Sequence, residues 1–522
     1  MPKIIIRNSC IMIRDYVLGS CPQLERNFMV YDPIRHTKDV LGMYYSAKTS
    51  TLYIPRGLDI PYIKHCLHIH DHENEQPSKF KETDYIGMKY KPRDKEQEEA
   101  LKFMIGIGEH EQNLYEPQLS VNLNTGKGKT YCSIATISYM RIKSIVITGS
   151  ITLLHQWERD IEEYTQLRRK DILFINGSDM MNMIYQGKSK RAEEASIFLC
   201  THGTIRSYCD TNGWSRLNTI FENLGIGMKF IDEAHTNFVN MLMIDFFSNV
   251  FKTYYVTATP GRSSRQEDKI YQLSIKNVPG IDLFDENKDP HTDYIAMKYN
   301  SHPSALVLSS CRNKYGLDRM KYVDFITQNE YFYQMMRIVM EMFLKCGGRG
   351  LFYVGTNAGI VRVYHWICTN YPQLLGLVGI YTSIMSKEDK LKEREKKLIL
   401  STTKSAGLGE DIKGLKMTVV LAEPFKSEVL TRQTLGRTRD DNTMYIELVD
   451  LGFRNIRSFY YSKLPTLNKY AKSVSDTTFD QYELSNRSKI LEDKQNKKHS
   501  PFVLYDERFF DYTQKESEED ES

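Results

Sequence analysis

From Tyr90 to Pro260, short apolar runs with strand character alternate with longer runs of helical periodicity. That alternation implies a parallel sheet flanked by helices, because parallel strands need a crossover and the helix supplies it. The strand candidates are residues 119–123, 144–148, 171–175, 196–201, 228–232 and 254–257. In such sheets ligands sit beyond the carboxyl ends of the strands. The polar residues of interest fall at those ends, at 125–130, 148–150, 201–204, 232–235 and 257–260.

The second half repeats the pattern, with strand candidates at 294–299, 350–354, 379–381, 398–401, 418–421 and 444–449, and helical stretches such as 331–346 and 387–397. No glycine-rich phosphate loop recurs there. A chain of 522 residues is too long for one core. The expected fold is therefore α/β, with two tandem parallel-sheet domains. Lys and Arg total 70 against 66 Asp and Glu, so a net charge of +4 gives no global attraction for a polyanion, and any nucleic-acid surface must be local. The nine cysteines form no C-x-x-C pair, the usage of a reducing compartment. No apolar run approaches a membrane span, so a soluble, cytoplasmic protein without a membrane partner is expected.

Residues 1–85 read as a small β-containing accessory domain, with short runs at 4–6, 27–31, 41–45 and 51–54 broken by Gly, Pro and Asp. His68, His70 and His72 would share one face of a strand, a metal-like pattern. No second ligand cluster follows, so a polar strand or loop is the expectation. The expected domains are 1–85, 86–290, 291–460 and a C-terminal extension at 461–522, ending in the acidic run 515–522, which is too polar to fold.

Leu123-Asn124-Thr125-Gly126-Lys127-Gly128-Lys129-Thr130 lies between a strand and a helix. It reads as a phosphate cradle: glycines bring backbone N–H groups around an anion, Lys129 reaches the terminal phosphates, and Thr130 holds Mg²⁺. The strict pattern has Gly where this chain has Leu123. Asp232-Glu233-Ala234-His235 follows an apolar run 103 residues after Lys129. Two adjacent carboxylates at a strand end suit metal-assisted phosphate hydrolysis, one binding the cation and one polarising water. An acidic helix N-terminus also favours Asp-Glu, and the spacing to Lys129 favours the catalytic alternative.

Together, Gly126 to Thr130, Asp232 to His235 and Thr257-Ala258-Thr259-Pro260 resemble motifs I, II and III of superfamily 2 helicases. Gln97 resembles the adenine-reading Q motif. Residues 144–148 with Gln156-Trp157, and residues 197–204, resemble motifs Ia and Ib. Thr403 to Asp411 and Gln433 to Arg439 resemble motifs V and VI.

The resemblance implies two RecA-like domains closing on ATP and Mg²⁺. It implies a nucleotide site of Gln97, Thr125, Gly126, Lys127, Gly128, Lys129, Thr130, Gly409 and Asp411, with Thr130 and Asp232 holding Mg²⁺. Lys129, Asp232, Glu233, Arg437 and Arg439 would be catalytic, Arg437 as the arginine finger. His235, Thr257, Thr259 and Gln433 would couple the nucleotide to nucleic acid held by Thr148, Gln156, Trp157, Thr201 and Thr403.

Within the superfamily, Gln156-Trp157, Arg262 and residues 51–58 resemble UvsW-type phage DNA helicases and related repair helicases. That implies a monomeric motor acting on single-stranded, duplex or branched DNA alongside replication or recombination partners. An RNA helicase, a duplex translocase that separates no strands, and a non-catalytic scaffold are the alternatives. The residues Lys129, Asp232, Glu233 and Arg437 weigh against the scaffold.

Overall fold

Runs rich in Ile, Val and Phe, too apolar to leave either face in water, form a seven-stranded parallel sheet in the unit Met1–Asp285. The computed structural model describes residues 2–32, 37–123, 128–234, 238–257, 265–283, 292–313, 316–382, 384–406, 412, 414–437 and 443–479. Across the sheet the strands run Ile172–Ile175, Ile197–Thr201, Ser144–Thr148, Met228–Asp232, Lys252–Thr257, Gln118–Asn122 and Gly280–Asp282. Every neighbouring pair is parallel. Side-chain oxygens start the connecting helices where the sequence leaves the sheet: Ser150 accepts from the Leu153 N–H and Thr201 from the Thr204 N–H.

The unit Glu286–Ser522 holds a second seven-stranded parallel sheet: Val378–Tyr381, Leu398–Ser401, Arg349–Val354, Leu415–Ala422, Thr443–Asp450, Thr292–Tyr299 and Ser473–Thr478. Numbered along the chain within its own unit, each sheet has the order 3-4-2-5-6-1-7. The two sheets are one topology used twice, the tandem RecA-like architecture expected. Two strands of these large sheets escape the sequence reading. Gly280–Asp282 is three residues long, and Ser473–Thr478 is an almost wholly exposed polar edge. The latter is held by the Lys298 Nζ and Tyr460 hydroxyl, which donate to Asp476 at 2.6 and 3.0 Å. The stretch after 460 thus supplies the end of helix Arg454–Tyr470 and this edge strand.

The N-terminal sheet has the order Tyr44–Ser46, Thr51–Pro55, Cys10–Arg14, Lys3–Ile6 and Glu73–Asn74. Its apolar side joins the hydrophobic core of the first large sheet. Tyr53 packs its ring 5.1 Å from that of Phe247. Gln118 Nε2 donates to the Ser9 carbonyl at 3.0 Å, and Asn8 Nδ2 to the Phe251 carbonyl at 2.8 Å. The histidine stretch is the loop of the two expected alternatives, not the strand. Helix Ile60–Leu67 ends at His68 with φ 56°, and His70 and His72 lie in irregular chain, so the three share no strand face.

Behind the strand that carries Asp232, the ammonium of Lys229 is fully buried against the carboxylate of Asp245, itself 2% exposed. Ser248 Oγ accepts from Lys229 at 2.9 Å, and the Tyr255 hydroxyl donates to Asp245 at 2.8 Å. One carboxylate therefore ties helix Phe238–Phe246 to strands Met228–Asp232 and Lys252–Thr257. The second unit has a comparable anchor in Glu447, which accepts from Lys463 and, at 2.7 Å, from Tyr294. It has another in Asp450, fully buried. Asp450 accepts from the Ser301 N–H at 3.1 Å, the Ser301 hydroxyl at 2.6 Å and the Gly452 N–H at 2.9 Å.

Candidate nucleotide site

Helix Lys129–Met140 starts at Gly128, whose φ of 85° is left-handed. A Cβ there would run into the Gln97 amide, so both conformation and space call for glycine. Gln97 is buried and fixed from two sides. Its Oε1 accepts from the Arg93 N–H at 2.8 Å, and its own N–H donates to the helix-capping Asp94 at 2.9 Å. The residue expected to read adenine thus packs directly on the phosphate-loop glycine.

Lys129 points back across the strand ends. Its Nζ lies 3.4 Å from the Leu123 carbonyl and 3.9 Å from Glu233 Oε1. Leu123, where the strict pattern has glycine, is buried, and its N–H donates to the Thr257 carbonyl at 3.1 Å. Thr130 follows Lys129 in the first helical turn.

Asp232 ends its strand, and Glu233 turns out of it with a φ of 50°, a left-handed conformation that costs a side-chain-bearing residue about 1–3 kcal/mol and marks functional turns. Both Asp232 oxygens are engaged: Oδ1 accepts from the Glu233 N–H at 3.0 Å and Oδ2 from the Trp157 indole N–H at 2.9 Å. Burial, then the charge of Glu233, holds the Asp232 carboxyl above the usual range, and the indole and Lys129 pull it back. A buried carboxylate at a strand end, beside a lysine whose contacts at 3.4 and 3.9 Å are both long, fits a divalent cation and an anionic phosphate chain.

The residues expected to hold nucleic acid are mostly turned inward. Thr148 donates to the Ser150 carbonyl at 2.9 Å, and Thr201 caps its own helix. Trp157, placed by sequence on the nucleic-acid side, is 2% exposed and faces Asp232. Gln156 is half-buried. Thr257 is fully buried at the end of its strand.

In the second unit, Gln433 lies on helix Glu428–Leu435, and Arg437 follows it, 7% exposed and within electrostatic reach of Tyr353. Thr403 donates its N–H to Glu423 Oε2 at 2.7 Å and its hydroxyl to Oε1. Sequence reasoning passed over Glu423. The signal was present, since it follows the apolar run 418–421 just as Asp232 ends its own. Thr125, Gly126, Lys127, His235, Thr259, Gly409, Asp411 and Arg439 lie outside the described residues.

Burial pushes the Glu423 carboxyl up to about 7, against the two Thr403 donors and Arg319. The folded chain then holds a proton that the unfolded chain releases near pH 4.5, so stability from this group falls as pH rises from about 4.5 to about 7. Glu423→Gln is expected to remove that slope. Melting temperatures across pH 5–8 check it: the variant gains on the parent as pH rises, and a constant difference would refute the burial of a neutral Glu423.

A glycine-started helix and an Asp-Glu strand end on the first of two parallel sheets of one order define a tandem RecA-like architecture with a candidate nucleotide site. Residues 89–262 match the family described as "Type III restriction enzyme, res subunit", a helicase-family domain that contains this site. The chain is thus similar to superfamily 2 helicases. Among solved structures, that of T4 UvsW is 13% identical, with a TM-score of 0.35, covering 92% of this chain and 99% of that one. That of S. cerevisiae Dbp5 bound to RNA and ADP BeF3 is 15% identical, with a TM-score of 0.49, covering 83% and 98%. No curated protein sequence matches the chain.

Proposed function

We infer that the chain is an ATP-driven motor on nucleic acid, a DNA helicase or translocase that remodels duplex or branched DNA by unwinding, annealing or branch migration. The observation that carries this reading is the convergence of Lys129, Asp232 and Glu233 at the strand ends beside Gly128. Lys129 would neutralise the terminal phosphates, and Gln97, fixed against Gly128, would read the base. Asp232 and Thr130 would hold Mg²⁺, which supplies Lewis-acid stabilisation of the transferring phosphoryl group. Glu233 would orient and deprotonate the attacking water. Arg437 of the second unit is the proposed finger, so that turnover depends on the two units closing over one nucleotide.

Hydrolysis measured with single-stranded DNA, forked DNA, plain duplex and RNA tests this. Stimulation by forked DNA above duplex is expected. No stimulation by any of them sinks the motor, and survival of hydrolysis in Lys129→Ala sinks the site. The match to a restriction-enzyme subunit family favours one second reading, a duplex translocase that separates no strands. Equal stimulation by plain and forked duplex without strand separation would select it, and preference for RNA would select an RNA helicase.

A further inference from the structure

Trp157 is the largest fully buried side chain of the described residues, and burying an indole needs a partner for its N–H. Its partner is neither a backbone carbonyl nor a neutral side chain but Oδ2 of Asp232, at 2.9 Å. The other carboxylate oxygen accepts from the Glu233 N–H at 3.0 Å. A carboxylate has about four acceptor positions. With one position on each oxygen taken by a separate donor, rotation of the group would break both bonds, and the remaining lone pairs keep fixed directions.

The indole arrives from helix Ile151–Tyr164, two turns past its Ser150 cap. That helix follows strand Ser144–Thr148, which pairs with Met228–Asp232. Leu153, Leu154 and Ile161 are buried on the same helix and fix the ring's approach. The sequence pattern, by contrast, suggests a Trp offered to a nucleic-acid strand.

We propose that Trp157 is a positioning residue for the cation-binding carboxylate, acting through Asp232 to set the affinity of the site for Mg²⁺. This rests on the reading of Asp232 as the Mg²⁺ ligand. Partners behind a metal ligand are worth roughly 10–100-fold in metal affinity when removed. Trp157→Phe keeps most of the ring volume and deletes only the donor.

The experiment titrates Mg²⁺ into the full chain with N-methylanthraniloyl-ADP and follows nucleotide fluorescence. In Trp157→Phe the Mg²⁺ midpoint is expected to rise about 10–100-fold, with affinity in EDTA unchanged, a split that a general packing defect would not produce. Asp232→Asn, run in parallel, separates the two claims. If it leaves the midpoint in place, the Mg²⁺ reading of Asp232 fails and takes this inference with it. If it moves the midpoint and a normally melting Trp157→Phe does not, the inference alone is overturned.

Should Trp157→Phe not fold, 5-fluorotryptophan labelling of a chain that keeps Trp157 decides. The sequence has three tryptophans, and replacing Trp214 and Trp366 with Phe leaves the Trp157 resonance by itself. Mg²⁺ added to the ADP complex is expected to shift that resonance. An unmoved signal overturns the proposal.

Discussion

Glu233→Gln is expected to lower ATP turnover roughly 10²–10⁴-fold, the range for loss of a general base, while nucleotide binding survives. The substitution keeps side-chain size and leaves Lys129 with its contact to the Leu123 carbonyl. What it removes is the carboxylate 3.9 Å from the Lys129 ammonium, the group proposed to take the proton of the attacking water. Phosphate release under saturating ATP, set against equilibrium binding of the same nucleotide, reads the two effects apart. Turnover close to the parent's would remove Glu233 from the chemistry. The φ of 50° gives an independent check. Glu233→Gly should be equally slow yet melt at a higher temperature, since glycine adopts that conformation without strain.

The second large effect is on folding. Lys229→Met should destabilise the first unit by about 3–5 kcal/mol, the cost of leaving a buried charge without its partner. The methionine fills the space of the lysine stem, so packing changes little. Asp245 then keeps the hydrogen bond from the Tyr255 hydroxyl but loses its cationic partner, and must take up a proton or recruit water. Urea unfolding measures the loss. Lys229→Met combined with Asp245→Leu should recover most of it, because an apolar pair of similar volume has no charge to strand. A loss below about 1 kcal/mol for the single variant would mean that water reaches the pair.

The strands were readable from sequence where the sheet is buried on both sides. Ser144–Thr148 and Ile197–Thr201 are continuous apolar runs because no residue in them meets solvent. Ser473–Thr478 was not, since an exposed edge strand is chosen for its backbone and can be polar throughout. The site shows the same division. Lys129, Asp232 and Glu233 sit at strand ends and announce themselves by residue type. The partner of Asp232 does not, because a buried Trp reads as core or as a nucleic-acid contact until its N–H is seen to have an acceptor. Glu423 was hidden differently: one carboxylate after a strand is common, and only its grip on both donors of Thr403 singles it out.

The repeated strand order lets corresponding corners of the two sheets be superposed in thought. The first strand of each seven-stranded sheet takes the same place in it, and the sixth lies beside it. In the chain, Gln118–Asn122 precedes Gly128 and Lys129, and Thr292–Tyr299 precedes Asn300 and Ser301. There the N–H and hydroxyl of Ser301 point at a negative charge too, but that charge is Asp450, at the end of the neighbouring strand. The second copy carries a carboxylate of its own where the first is proposed to take the phosphates of a nucleotide. Its corner is already neutralised by the chain itself, so equilibrium titration with nucleotide should saturate at one molecule per chain, and a stoichiometry of two would show that Asp450 can be displaced.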